Sequence, residues 1–385
     1  MQEVAIIGIG QTKVDEQWDK SLRELAGDAA LQALEEAHLQ AADGLFVGNM
    51  MSGSANHQQH LGAYIADWIG MRYAEGLRVE AACSSGAAAF RSGLMAVASG
   101  QMNAALVVGV EKMTDSPANE ITAELATAAD ADWEAEMGLS FVALNALAMR
   151  AYMHQYGWQR EHFAGFTLNA HANGVHNPNA RFRKAIKEEA YLNAGMVCEP
   201  ITVMDASAMG DGAAAVVMVP VEYARRIPDH KVIKVLGSGA ATDHIAIHSR
   251  PRPTWLTAAE LSVRQAYDQA GLGPEDIDLF ELHDAFTIMA TLSLEACGFA
   301  EPGQGPRLAL DGEIRPTGRI PIATRGGLKA RGHPVGATGM YQLVEVVQQL
   351  RGECGGSQVE GARIGMAQNI GGSGSNIITH ILGVE

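Results

Sequence analysis

Positive charge is scarce in this chain: 28 Lys and Arg stand against 44 Asp and Glu, a formal net charge of −16. That balance excludes nucleic acid and anionic membranes as general partners, because both are held by basic surface. Cysteine is scarce too. The four, at positions 83, 198, 297 and 354, lie far apart without a C-x-x-C pair, so neither a zinc site nor a disulfide framework is indicated. A reducing, cytoplasmic compartment is expected. No apolar run reaches membrane-spanning length and no basic leader precedes the opening V-A-I-I-G-I-G, so the chain is expected to be soluble and unexported. G-x-x-x-x-G-K-[ST], a Rossmann fingerprint with a well-placed acid, and H-E-x-x-H are all absent. Gly8 to Gly10 is too short a glycine motif to indicate a nucleotide, and no metal is expected.

What is present is the composition of an ordinary globular protein, 385 residues with 47% apolar and 19% charged, enough for one large core or two to three smaller ones. Strands and helices alternate. Val4 to Ile9 is an apolar run of the kind covered on both faces. Ser21 to Leu39 reads as a helix, with Glu24 three residues past a capping serine. Gly44 to Asn49 is a short strand, His57 to Ile69 reads as helical, and Ala104 to Val110 is a buried strand. Such alternation predicts an α/β protein with a largely parallel sheet.

From Glu111 the texture changes. Residues 112–199 are rich in Asn and His and poor in strand signal, with helices expected over Phe141 to Tyr156 and Arg160 to Ala172. They read as an excursion from the core. Arg181, Arg183, Lys184 and Lys187 form a basic island in this segment. Each alone fits a solvated helix face; together they are a candidate site for a phosphate-bearing ligand. The strand Ala213 to Val219 then closes a first half made of 1–111 and 200–228.

The second half, 229–385, repeats the first at low identity. Val232 to Leu236 mirrors the opening strand, I-D-L-F-E-L-H-D-A-F mirrors D-G-L-F-V-G-N-M-M, and the helix Gly336 to Leu350 stands where the helix after Cys83 stands. If the halves pack about a pseudo-twofold axis, these two helix N-termini face each other. The loop R-G-G-L-K-A-R-G-H-P-V-G-A-T-G then lies beside Cys83.

Cys83, in V-E-A-A-C-S-S-G-A-A-A, precedes a helix of very small residues. A helix N-terminus favours thiolate over thiol, whereas an isolated cysteine is also commonly an inert apolar residue. A nucleophilic thiol needs a base. His333 sits in the glycine-rich loop, and His283 ends an apolar strand, where α/β sheets open onto a ligand crevice. Either histidine alone reads as structural; the repeat brings both to one thiol. Glycines 371, 372 and 374 can turn backbone N–H groups toward a developing oxyanion, and a tight turn without function explains them as well.

A-A-C-S-S-G, H-D-A-F, G-H-P-V-G-A-T-G and N-I-G-G-S-G, in that order, resemble the four motifs of the thiolases over essentially the whole chain, with most similarity to the archaeal-type and sterol-carrier-protein-like members. The resemblance implies two βαβαβαββ halves in a five-layer αβαβα sandwich with an inserted loop domain. It implies a Claisen exchange between coenzyme A thioesters, which are substrates, with no further cofactor. Cys83 would carry the acyl group, His333 would be its base, and the N–H groups of Cys83 and Gly371 would form an oxyanion hole. His333 and His283 would hold the enolate. Arg181, Arg183 and Lys184 would bind coenzyme A.

The family's second thiol is missing: Asn369 and Ala285 stand where relatives carry cysteine. Either His283 or His333 then carries the proton transfer at the α-carbon, or the full condensation is not run; His283 is the expected base. A homodimer or tetramer is implied, and an OB-fold/zinc-ribbon protein and an HMG-CoA synthase are possible partners. A ketosynthase-like condensing enzyme and a thiolase-fold scaffold subunit are the alternative readings.

Overall fold

The computed structural model describes residues 2–228 and 231–385; the boundary expected at 228/229 falls at undescribed Asp229. Nine strands form one sheet: β1 (Val4–Gln11), β2 (Gly44–Gly48), β3 (Glu75–Val79), β4 (Ala105–Glu111), β5 (Gly212–Pro220), β6 (Ile233–Thr242), β7 (Leu279–Glu281), β8 (Ile364–Gly371) and β9 (Asn376–Val384). Their order is β3-β2-β4-β5-β1-β6-β9-β8-β7. Read inward from either edge, the order is the same. The second half lacks only a full counterpart of β3, and there Ile322 makes a single parallel bridge to Phe280 of β7. The halves meet where β1 and β6 pair antiparallel, Ile6 against Ile233.

The sheet is mixed rather than largely parallel. Only β2–β3, β2–β4 and β7–β8 are parallel. Each half ends on an antiparallel strand, β5 after the long excursion and β9 after the turn that follows Gly371, and these returns together with the β1–β6 junction supply the remaining pairs.

Helices α1 (Leu22–Glu36) and α2 (Leu61–Trp68) cover one face of the first half. Glu24 accepts the Ser21 N–H at 2.8 Å at the start of α1. Helix α2 starts four residues later than expected because His57 and His60 adopt left-handed backbone, φ 53° and 61°. Helix α3 (Ser85–Ala98) covers the opposite face. Helices α4 (Phe141–Tyr156) and α5 (Ala164–Gly174) belong to the excursion, and α6 (Thr257–Ala270) and α7 (Thr287–Ala296) cover the outer face of the second half. The last helix, α8 (Thr338–Arg351), packs on β7 and β8 and also on β5 of the other half. The sheet therefore folds around α3 and α8, which become the middle layer of an α/β/α/β/α stack, with one apolar core drawn from both halves.

The excursion packs on the second half through a common core. Met149, Tyr152, Phe163 and Phe166 of α4, α5 and the turn between them share a core with α7. Asn169, Asn173 and Asn177, four residues apart on one side of α5 and its end, donate to the carbonyls of Ile322, Ala323 and Arg325. These bonds anchor the start of the histidine loop.

At the centre, α3 and α8 approach backbone to backbone. A methyl group at Gly86 would lie 2.9 Å from the Gly336 oxygen and 3.0 Å from the Met340 nitrogen. Gly86→Ala is expected to lower the unfolding free energy by about 1–3 kcal/mol, because backbone on both sides must shift. Gly195→Ala, with open space around it, is expected to change it by less than about 0.5 kcal/mol. Urea denaturation of the two variants checks both.

Candidate active site

Cys83 lies in the turn between β3 and α3. The two serines that follow it tie that turn down: Ser85 Oγ accepts from Ala81 N–H at 2.9 Å and donates to the Ala82 carbonyl at 2.6 Å, and Ser84 Oγ donates to Ala81 O at 2.6 Å. Ala82 is left-handed, φ 51°. Cys83 is 8% exposed and faces a cavity of about 230 Å³ that Gly372 also lines.

His333 and His283 line the same cavity. His333 follows Gly332, whose φ of 108° suits glycine. Its N–H donates to Ala208 O at 2.8 Å, and its Nδ1 lies 2.6 Å from Thr338 Oγ1, in the first turn of α8. His283 stands two residues beyond β7, and its Nδ1 lies 2.9 Å from Asn369 Nδ2 on β8. The two rings are edge to face, centroids 5.1 Å apart. Leu125, Phe141, Phe286 and Met289 make the remaining wall largely apolar.

Gly371 ends β8 opposite Asn376, and Gly372, one residue on with φ 59°, lines the cavity.

Burial dominates the electrostatics. It pushes the Cys83 thiol up to about 12, the carboxylate of Glu111 adds to the rise, and the Gly372 N–H opposes it. Burial also holds His333 well below its ordinary range, assisted by His283 and Arg331, and pushes His283 down to about 3. Both shifts favour a neutral thiol and a neutral imidazole at rest, burial acting against a helix-end contribution of about 1 kcal/mol.

Several supporting residues are invisible to motif reading. Glu111 accepts the N–H groups of Met50, Met51 and Gly336 at 2.9–3.0 Å, which ties the first half to the start of the histidine motif's helix. Its burial pushes its carboxyl up to about 7. Arg331 is fully buried, bonded to Glu345 at 3.1 Å and stacked over Tyr341. Asp284 accepts the Leu328 N–H at 2.7 Å. Acidic and basic letters around H-D-A-F and R-G-H were the available signal, yet nothing in their spacing reveals burial.

The basic island divides. Arg181 and Lys184 line a second cavity of about 680 Å³, which shares Met113, Ala206, Ser207 and Met209 with the first. Arg181 is ion-paired to Asp15 and Glu16. Arg183 and Lys187 are exposed outside that lining. Buried Lys329, absent from the expected set, lines it instead and donates to Asp205 O. Among the described residues no cluster suits a metal ion, and no helix is long and apolar enough to cross a membrane.

A neutral resting thiol has a kinetic signature. Alkylation of Cys83 by iodoacetamide is expected to rise about tenfold per pH unit from 7 to 10 without a plateau, read by peptide mass spectrometry. A plateau below pH 8 would show a thiolate–imidazolium pair instead.

Comparison with known proteins agrees with this arrangement. Residues 4–222 match the family "Thiolase, N-terminal domain" and residues 239–384 match "Thiolase C-terminal domain-like". The chain is 45% identical to an acetyl-CoA acetyltransferase of Methanothermobacter thermautotrophicus over 99% of each chain. It is 37% identical to one of Methanocaldococcus jannaschii, again over 99% of each. Among solved structures, it resembles the Ltp2-ChsH2(DUF35) aldolase with a TM-score of 0.86 and 25% identity, covering 100% of this chain and 98% of that one. It also resembles acetyl-CoA acetyltransferase from Syntrophomonas wolfei with a TM-score of 0.76 and 18% identity over the whole of both chains. With both halves matched in order, and with such identity over the full length, this chain belongs to the thiolase family.

Proposed function

We propose that this chain is an acyl-CoA acyltransferase that makes or cleaves a 3-ketoacyl-CoA, such as acetoacetyl-CoA, through an acyl-Cys83 intermediate. The observation that carries this reading is the meeting of Cys83, His333 and His283 on one apolar cavity that adjoins a larger, partly basic one. The small cavity suits the acyl group and the reacting carbons. The larger one suits the coenzyme A nucleotide, with Lys184 free to meet a phosphate and Arg181 already engaged by two acids. Full-length identity to two acetyl-CoA acetyltransferases supports acetyl-CoA as the substrate.

In the first half-reaction Cys83 gives its proton to His333 as the sulfur attacks the thioester carbon. The coenzyme A thiolate leaves and takes that proton. Substrate binding must lower the cost of this transfer, since burial favours the neutral form of both groups. Two matters of assembly belong to the same reading. Strand β3 is a sheet edge with Tyr73, Leu77 and Met95 exposed nearby, which supports a homodimer joined along that edge. A neighbour solved as an Ltp2-ChsH2(DUF35) pair supports an accessory subunit.

Incubation with acetyl-CoA is expected to add one acetyl group to the intact protein, lost in Cys83→Ala. An unmodified wild-type mass would defeat the proposal. Lys184→Ala is expected to raise KM for acetyl-CoA about 5- to 10-fold, ~1 kcal/mol for one exposed charge–phosphate contact, with kcat unchanged, because that contact is equal in ground and transition states.

A further inference from the structure

The two histidines carry one proton each, and their neighbours decide where it sits. Thr338 Oγ1 has two contacts: the carbonyl of Pro334 at 3.3 Å, which can only accept, and His333 Nδ1 at 2.6 Å. Its single hydroxyl proton goes to the carbonyl, so both contacts are satisfied only if His333 Nδ1 carries a hydrogen and donates. The lone pair of His333 is then on Nε2.

His283 has the opposite neighbour. Its Nδ1 meets the amide NH₂ of Asn369, which can only donate. Nδ1 must accept, and the proton is on Nε2. The amide is oriented by its surroundings. A methyl at Gly339 would sit 2.4 Å from Asn369 Oδ1 and 2.5 Å from the Ala87 nitrogen. The amide oxygen thus lies at the first turns of both α3 and α8; it is buried without a hydrogen-bond partner, and the positive helix ends favour an oxygen there over an NH₂ group, whose two donors would go unmet.

Resting on the thiolase reading above, the geometry points to a division of labour fixed by Asn369 and Thr338: His283 is held as an Nε2–H donor, and His333 is the one base for both proton transfers. This reverses the expectation that His283 takes the α-proton. In the condensation step His333 Nε2 takes a proton from the α-carbon of the second acyl-CoA, and the enolate oxygen accepts from His283 Nε2–H. The α-carbon attacks the acyl carbon on Cys83. The new C–C bond forms, the C–S bond to Cys83 breaks with its electron pair on sulfur, and the imidazolium of His333 returns its proton to that thiolate. Atoms, charge and the resting tautomers are all restored. Asn369 and Thr338 are positioning residues in this scheme.

Asparagine can donate a hydrogen bond but cannot act as a base, so it separates the two roles of His283. His283→Asn is expected to retain condensation within about tenfold of wild type. His283→Ala is expected to lose about 10²–10³-fold, the usual effect of removing an oxyanion donor. Equal inactivity of both, with acetyl-Cys83 still forming by intact mass, would overturn the inference. A folding-independent arm uses wild-type protein labelled with ¹⁵N in its histidines and no substrate. Two-bond ¹H–¹⁵N correlations should show His283 protonated at Nε2 and His333 at Nδ1, and Asn369→Asp should bring a proton to His283 Nδ1. A wild-type His283 protonated at Nδ1 overturns the inference. Failure of acetyl-CoA to label the wild type would instead remove the thiolase reading, and the tautomer measurement is independent of that result.

Discussion

The site depends on how closely two helices can approach. Helices α3 and α8 start at the pseudo-twofold axis, and at their contact both present backbone rather than side chain: Gly86 faces Gly336 and Met340, and Gly339 faces Ala87. Only residues without a Cβ permit that distance. Two helix N-termini therefore converge, which concentrates unpaired N–H groups and positive potential in one place. Every group of the candidate chemistry is placed relative to that point. Cys83 precedes one helix, His333 precedes the other, Thr338 belongs to the second helix's first turn, and Asn369 turns its oxygen into the junction.

Convergence of this kind ought to stabilise a thiolate, yet burial has the larger effect. Cys83, His333 and His283 are each at least nine-tenths buried, and Glu111, which braces the junction by accepting three backbone N–H groups, adds negative charge near the sulfur. The same carboxylate that holds the halves in register therefore adds to the effect of burial on the thiol.

Much of this was legible in the sequence because the repeat is legible. The matching strand order from both sheet edges, the facing helices and the meeting of Cys83, His283 and His333 all follow from recognising two related halves. What could not be read depends on burial and on single-residue geometry. Helix α2 begins late because two histidines are left-handed, a choice that periodicity does not encode. Gly371 and Gly372 are adjacent glycines, and only the hairpin register decides that the first pairs with Asn376 and the second lines the cavity. Lys184 and Arg183 are neighbours in a basic run, and only one faces the cavity. Arg331 and Glu345 look like surface residues in a sequence, yet they form a fully buried pair behind the histidine loop.

The duplication also explains why the two halves do not share the chemistry equally. In corresponding turns Gly86 stands at the second position of α3 and Gly339 at the second position of α8, so Cys83 and Gly336, each three residues earlier, are equivalents. One half places a thiol where the other places a glycine. The glycine is required, because a Cβ there would lie 2.5 Å from a Glu111 carboxylate oxygen and 2.7 Å from the Met50 nitrogen. A second nucleophile could not occupy that position without displacing Glu111 and the backbone at Met50. The second half instead supplies its functional groups from just outside the junction: a histidine before the helix, and an asparagine and a histidine from adjacent strands. The asymmetry of function is thus a consequence of close packing at the axis, where there is room for one side chain that reacts and for backbone opposite it.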